Sequence, residues 1–94
     1  MNRPLDDDIP RRHQDIPWRR VEDEVFIITP FDGNLHNLQA VGARFWELCD
    51  GEREWSGIID SLLEEYDVDR AVLEADLSEL VEQLVRRQVL EVVR

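Results

Sequence analysis

The residues that could bind a metal or act as a nucleophile are few and far apart. His13, His36 and Cys49 are the chain's only soft metal-ligand candidates. They fall in three different predicted elements and lack the close spacing of a zinc site. As the single cysteine, Cys49 forms no internal disulfide, and its place on the inner side of a helical pattern predicts a small core residue. We therefore predict no metal and no cofactor.

The carboxylates are numerous but scattered. The chain contains 22 Asp and Glu, 11 Arg and no Lys, for a net charge of −11. Side chains such as Glu64, Glu74 and Glu82 fall on predicted helix exteriors, where they solvate a surface, whereas a general acid–base pair needs a pocket and shifted pKa values. There is also no Gly-rich phosphate loop and no nucleophile elbow. We predict that the protein is not an enzyme.

The negative charge restricts the possible partners. Nucleic acid and anionic membrane both favour a positive surface, so we predict neither as a partner. No apolar run approaches the roughly 18 residues of a membrane span, and the N-terminus lacks the apolar core of a signal peptide. We expect a cytoplasmic protein, which the lone cysteine also fits. The charge is compatible with a peptide or protein partner that carries basic or apolar groups.

The 94 residues predict one small domain. Residues 1–15, with two prolines and a run of aspartates, predict a flexible and irregular arm, and residues 16–94 predict the folded domain. Within it, strands are expected at Trp18–Val21 and at Glu24–Thr29, followed by a Pro-Phe-Asp-Gly turn at 30–33.

A third strand is predicted from its position after the turn. Its members are Asn34, Leu35, His36, Asn37 and Leu38. Leu35 and Asn37 would face one way and His36 and Leu38 the other. The polarity of the segment indicates an edge strand, which leaves half of its backbone groups unpaired.

Three helices are predicted after this strand. They cover about 40–49, 55–66 and 70–87, and Asp69 is a good N-cap for the third. Residues 89–93 are either a closing strand or the frayed end of the third helix. A three-stranded antiparallel sheet followed by three helices predicts an α+β fold of the winged helix-turn-helix type.

The third helix is apolar over a wide arc. Leu73, Leu77, Leu80 and Leu84 cluster on one side, and the neighbouring valines extend the arc to roughly 220°, against the ≳100° that a helix resting on a core needs. The additional apolar surface must pack against the sheet, a second subunit or a ligand. Packing on the sheet explains the wide apolar arc at least as simply as a second subunit or a ligand does.

The order of these elements resembles the PqqD family of small winged-helix-like proteins, also called RiPP recognition elements. The family pattern includes Leu-Asn-x-x-Gly/Ala-Ala-x-Ile-Trp-x-Leu-x-Asp-Gly. Matching residues around the first helix are Leu38, Gly42, Ala43, Trp46, Leu48, Asp50 and Gly51. Later matches are Ile58, Ile59, Leu62, Tyr66, Asp67, Leu73, Asp76, Leu80, Leu84 and Leu90. Three departures, Gln39, Glu54 and Gln88, fall at helix ends.

The resemblance implies binding without catalysis. Family members hold the leader segment of a ribosomally made precursor peptide for a modifying enzyme, often a radical SAM protein. The leader is added as a strand along the third strand, in a groove against the third helix. In this sequence, the strand that corresponds to the leader-binding strand of the family is Asn34–Leu38. For the helix wall we favour the flank of Ser78, Val81 and Val85, and the opposite flank, Val72, Asp76 and Gln83, is the alternative.

Two other functions share the same architecture. A DNA-binding winged helix is disfavoured, because the third helix carries four acidic residues against three arginines. A structural or dimerisation subunit, including a homodimer, would use the same apolar flank for self-association.

Overall fold

The computed structural model describes residues 3–29 and 32–94, so Pro30 and Phe31 of the predicted turn lie outside the described residues. The strands are β1 (Ile9–Arg12), β2 (Trp18–Val21), β3 (Glu24–Ile28), β4 (Leu35–Gln39) and β5 (Leu90–Val93). The helices are α1 (Ala40–Leu48), α2 (Trp55–Glu65) and α3 (Arg70–Arg86). The predicted α+β architecture, a three-stranded antiparallel sheet followed by three helices, is confirmed.

The main sheet has the order β2-β3-β4, and both pairings are antiparallel. The central strand, β3, is rich in β-branched residues, and its Val25 and Ile27 are fully buried. They pair with Leu38 and His36 of β4, which are half-buried. Within the described chain no strand pairs with the other side of β4, so this strand lies at the sheet edge.

One hydrophobic core joins the sheet to the helices. Phe45 and Trp46 of α1 are fully buried at its centre, since their spacing places both on the inner side of the helix. Apolar stripes with helical spacing on α2 and α3 complete the core; they are Ile58, Ile59 and Leu62, and Leu73, Leu77, Val81 and Leu84. Cys49 is buried among these residues, and its burial raises the pKa of the thiol.

The N-terminal segment differs from the predicted irregular arm. β1 pairs antiparallel with β5, from Ile9 opposite Val93 to Arg12 opposite Leu90. Pro10 is tolerated because its nitrogen, which has no N–H, lies on the side of β1 that faces away from β5. On that side its carbonyl accepts a hydrogen bond from the Gly51 N–H at 3.2 Å. Residues 90–93 are therefore a strand rather than a frayed helix end.

The same segment supplies the missing cap of α2. Glu54, at the N-cap position, makes no capping bond with its side chain. Instead the backbone carbonyls of Asp8 and Asp6 accept hydrogen bonds from the N–H groups of Trp55 (2.7 Å) and Ser56 (3.0 Å). Two of the unpaired donors at this helix start are satisfied in this way.

Arg12 ties the ribbon to the main core. Its Nη1 donates to the carbonyl oxygens of Trp46 at 2.7 Å and Glu47 at 2.8 Å, at the C-terminal end of α1. The guanidinium also lies 5.1 Å from the ring centroid of Trp18. Both contacts are favourable, since the end of a helix carries partial negative charge and an aromatic face attracts a cation.

The end of α3 explains one departure from the family pattern. Gln88, where the family usually has glycine, adopts a left-handed conformation with φ of 64°. Its N–H donates to the Val85 carbonyl at 3.0 Å and the next N–H, of Val89, donates to Leu84 at 3.1 Å, so the chain reverses into β5. A residue with a Cβ is strained in this conformation.

We expect Gln88→Gly to raise the free energy of unfolding by about 0.5–1 kcal/mol, because glycine adopts this conformation without strain. Urea denaturation measures the change. Gln88→Ala is the matched control, since it removes the same side chain but keeps the Cβ, and it should give no gain. Equal stabilities for the glycine and alanine variants would contradict the strain.

Candidate functional site

The backbone of β4 presents hydrogen-bonding groups to the open edge. The Asn34 carbonyl accepts from Thr29 N–H and the Ala40 N–H donates to the Asp23 carbonyl, both at 3.0 Å. Antiparallel pairing alternates along a strand, so the even-numbered residues of this segment bond to β3. The N–H and C=O groups of Leu35 and Asn37, and the N–H of Gln39, therefore point outward. The Gln39 carbonyl belongs to the start of α1, because Gln39 is the N-cap residue of that helix.

The two edges of the main sheet differ in charge. β4 carries no charged side chain. β2, at the other edge, carries Arg19 and Arg20 in the middle of its four residues. Charged residues on an edge strand hinder the approach of another strand, whereas an uncharged edge leaves it open. Strand addition is thus better accommodated at β4 than at β2.

Helix α3 comes close to the chain near both ends of β4, in the opposite order along the sequence. Near the end of β4, a Cβ built on Gly42 would lie 3.6 Å from Leu80 Cδ2 and 3.9 Å from Leu38 Cβ. Near its start, Thr29 and Asp32 line one cavity together with Arg86 and Arg87. We call the surface between these two places, along the open edge of β4, the groove.

The end of the groove beside Gly42 is apolar. A cavity of about 260 Å³ is lined there by residues that include Val41, Gly42, Val72, Asp76, Leu77 and Leu80. Val72 is 56% exposed and Val68, also in the lining, is 40% exposed, so apolar surface faces solvent. A cavity of this size accommodates a large apolar side chain.

The predicted strand residues occupy this edge. Asn34 immediately precedes β4, and Leu35 to Leu38 lie within it. Leu35 and Asn37 are exposed, while His36 and Leu38 are half-buried on the core side, as the alternation predicted. The Nε2 atom of His36 is buried without a hydrogen-bond partner in the described structure.

The α3 residues favoured from the sequence, Ser78, Val81 and Val85, do not line the apolar cavity. Val81 is fully buried and Val85 is half-buried against the core, and Ser78 is half-buried with an unpartnered Oγ. The lining of the cavity includes Val72 and Asp76, members of the alternative flank. The structure brings Val72 and Asp76 of this alternative flank, rather than Ser78, Val81 and Val85, close to Val41 and Gly42 at the start of α1.

The turn between β3 and β4 is held by a carboxylate. Asp32 accepts hydrogen bonds from the Thr29 hydroxyl, the Asn34 N–H at 3.0 Å and the Asn34 side chain at 2.9 Å. The bond from Thr29, followed by that from the Asn34 backbone, lowers the pKa of Asp32. These bonds fix the start of β4 and engage the Asp32 oxygens.

Two further kinds of site were sought in the parts of the chain that the structure describes, a metal centre and a membrane-spanning helix. No three His, Cys, Asp or Glu side chains lie close enough together there to hold a metal ion. No helix there is long and apolar enough to span a membrane.

Comparison with known proteins places the chain in a family. A family profile described as Coenzyme PQQ synthesis protein D (PqqD) matches residues 24–90, which is most of the chain. The chain belongs to the PqqD family. The matched region contains β3, β4 and all of α1–α3, so it includes both walls of the groove in this PqqD protein.

A solved structure shares the fold over nearly its whole length. It is that of TbiB1 in complex with the TbiA(beta) leader peptide, with 30% identity and a TM-score of 0.77. The alignment covers 86% of this PqqD protein and 94% of the TbiB1 chain. Among curated protein sequences, none matches.

Sequence reasoning missed the contribution of the first helix to the groove. Val41 and Gly42 line its apolar end, whereas the sequence patterns assign them only to a helix start and to the family resemblance. A glycine inside a helix costs stability, by roughly 0.5–1 kcal/mol relative to alanine, and often marks close approach of another group. That signal could have identified Gly42, whose missing Cβ leaves room between Leu38 and Leu80.

Proposed function

We propose that this PqqD-family protein binds the leader segment of a ribosomally made precursor peptide. The leader is added as a strand to β4 and is held in the groove against α3. The protein then presents the peptide to a modifying enzyme, and the family resemblance suggests a radical SAM protein. This role needs no catalysis by the chain itself.

The observation that carries the proposal is the open, uncharged edge of β4. The outward groups of Leu35, Asn37 and Gln39 can form main-chain hydrogen bonds with any extended peptide. Such bonds supply affinity, while adjacent pockets for alternate side chains supply specificity. The other edge of the sheet offers the same backbone groups but carries two arginines, so it is the poorer template.

The apolar cavity supports the same site. Its lining includes Gly42, and a Cβ built there would lie 3.9 Å from Leu38 Cβ of β4, so a peptide on that strand can extend to this cavity. Burying a large apolar side chain there contributes roughly 1.5–3 kcal/mol. We therefore propose Val72, Asp76 and Leu80 as the helix wall, in place of the flank of Ser78, Val81 and Val85.

The family and the solved neighbour support a peptide as the occupant. TbiB1, which shares the fold at 30% identity, was solved with a leader peptide. The net charge of −11 favours association with a leader that carries positive charge.

Filling the cavity tests the proposal. Gly42→Leu places a side chain into the apolar end of the groove, and we expect it to weaken leader binding about tenfold or more, since it removes most of the apolar burial. Isothermal titration with peptides spanning the precursors encoded beside the gene measures the effect.

Gly57→Leu is the matched control. Gly57 also lies in a helix, and a Cβ built there meets nothing within 4 Å, so both variants gain the same side chain. Thermal melting checks that both fold. Binding that is equally strong in both variants, or equally weak, would exclude the groove as the site.

A further inference from the structure

The linings of the two ends of the groove carry opposite net charges. At the apolar end, Asp76 is the one charged residue of the cavity lining, and it is exposed. At the other end, a cavity of about 450 Å³ is bordered by Asp32, Arg86 and Arg87. Asp32 keeps its negative charge, since the hydrogen bonds from Thr29 and Asn34 lower its pKa, so one carboxylate and two arginines give this lining a net charge of +1. Arg86 pairs with Glu82 at 2.7 Å. Arg87 has no ion-pair partner among the described residues.

A short extended peptide can span the distance between Asp76 and Arg87. Asp76, Leu80, Gln83 and Arg87 follow one another at helical spacing and so share one side of the end of α3. The 11 positions from Asp76 to Arg87 span about 16 Å at 1.5 Å per residue. An extended peptide covers this distance in about five residues. Because alternate side chains of a strand face the same way, two that both face α3 are four or six positions apart.

We infer that the groove selects a leader with a basic residue over Asp76 and an acidic residue over Arg87, four or six positions apart. Complementary charges fix register and suppress wrong partners more than they add affinity. Antiparallel pairing is the more stable arrangement per residue. In an antiparallel pairing the N-terminal end of the peptide lies beside the C-terminal end of β4, near Asp76. The basic residue of the peptide therefore precedes the acidic one. This inference rests on the proposed function.

Selection from a peptide library tests the inference even where the natural leader is unidentified. The probe is a display library of random 15-residue peptides, selected against the full-length protein. From the wild type we expect sequences in which Lys or Arg precedes Asp or Glu by four or six positions. Reversing both charges in a selected peptide should weaken its binding at least fivefold.

A charge-exchanged protein supplies the decisive comparison. In the variant Asp76→Arg with Arg87→Asp, both positions are exposed and the net charge is unchanged. It should select the opposite charge order and bind the charge-reversed peptide better than the original. The matched control is Glu64→Arg with Arg19→Asp, which exchanges exposed charges outside the groove and should select the wild-type order.

The failure of the inference and that of the proposed function give different results. Peptides that protect the β4 amides from exchange but show no charge order would overturn the inference and leave leader binding standing. The same holds if the charge exchange does not reverse the order. If no selected peptide binds at β4, both the proposed function and the inference are wrong.

Discussion

Replacing Asn37 with proline is expected to weaken leader binding about tenfold or more while the protein stays folded. The N–H of Asn37 points to the open edge of β4, so proline removes a backbone donor meant for the added strand and no backbone donor that serves β3. The substitution also removes the hydrogen bond from the Asn37 side chain to the Val25 carbonyl, at 3.4 Å. A lost hydrogen bond costs roughly 0.5–1.5 kcal/mol, and the pyrrolidine ring also crowds the approaching strand. About 1.4 kcal/mol corresponds to a factor of ten.

The chain offers a close control at the opposite edge. Ile28 N–H donates to the Pro17 carbonyl at 3.1 Å, so the alternation along β2 leaves the N–H of Arg20 pointing outward. Arg20→Pro therefore makes the same change in the same sheet, and it should leave leader binding within about twofold of the wild type, a difference of roughly 0.4 kcal/mol. Stronger impairment by Arg20→Pro than by Asn37→Pro would place the leader at β2.

Removing residues 1–12 is expected to lower the free energy of unfolding by about 3 kcal/mol or more. The deletion takes away β1, the backbone acceptors for Trp55 and Ser56, and the contacts of Arg12 with the end of α1. Each lost hydrogen bond costs roughly 0.5–1.5 kcal/mol, and the buried β5 residue Leu90 loses its cover. Urea denaturation followed by circular dichroism measures the change.

Asp7→Ala is the control for this deletion, because Asp7 lies in the same segment but is exposed. It should change stability by less than about 0.5 kcal/mol. If the shortened protein is as stable as the wild type, the prediction of a flexible N-terminal arm is correct after all. It would also mean that the β1–β5 ribbon contributes nothing to the fold.

Most elements of the fold could be predicted, because their signals are local. The apolar periodicity of α2 and α3, and Asp69 as the N-cap of α3, need nothing beyond neighbouring residues, and the structure confirms the cap. The ribbon could not be predicted in this way. Pro10 is locally a strand breaker, and its partner Val92 lies about 80 residues away.

The site was only partly predictable for a related reason. The β4 edge follows from a polar strand after a turn, and its facing pattern follows from alternation. The wall on α3 does not, because both flanks of its apolar arc look alike in sequence. α3 packs against β5, so which flank is covered depends on a ribbon that local sequence does not reveal.

Amide hydrogen exchange of β4 tests leader addition most directly. The ¹⁵N-labelled protein is measured by NMR with and without a saturating leader peptide. The account predicts that the amides of Leu35, Asn37 and Gln39 become protected in the complex. The amides of His36 and Leu38 bond to β3 already and should change little, and those of Trp18 and Arg20 should stay unprotected. Protection at Trp18 and Arg20, or an unchanged β4 edge in a saturated complex, would contradict the account.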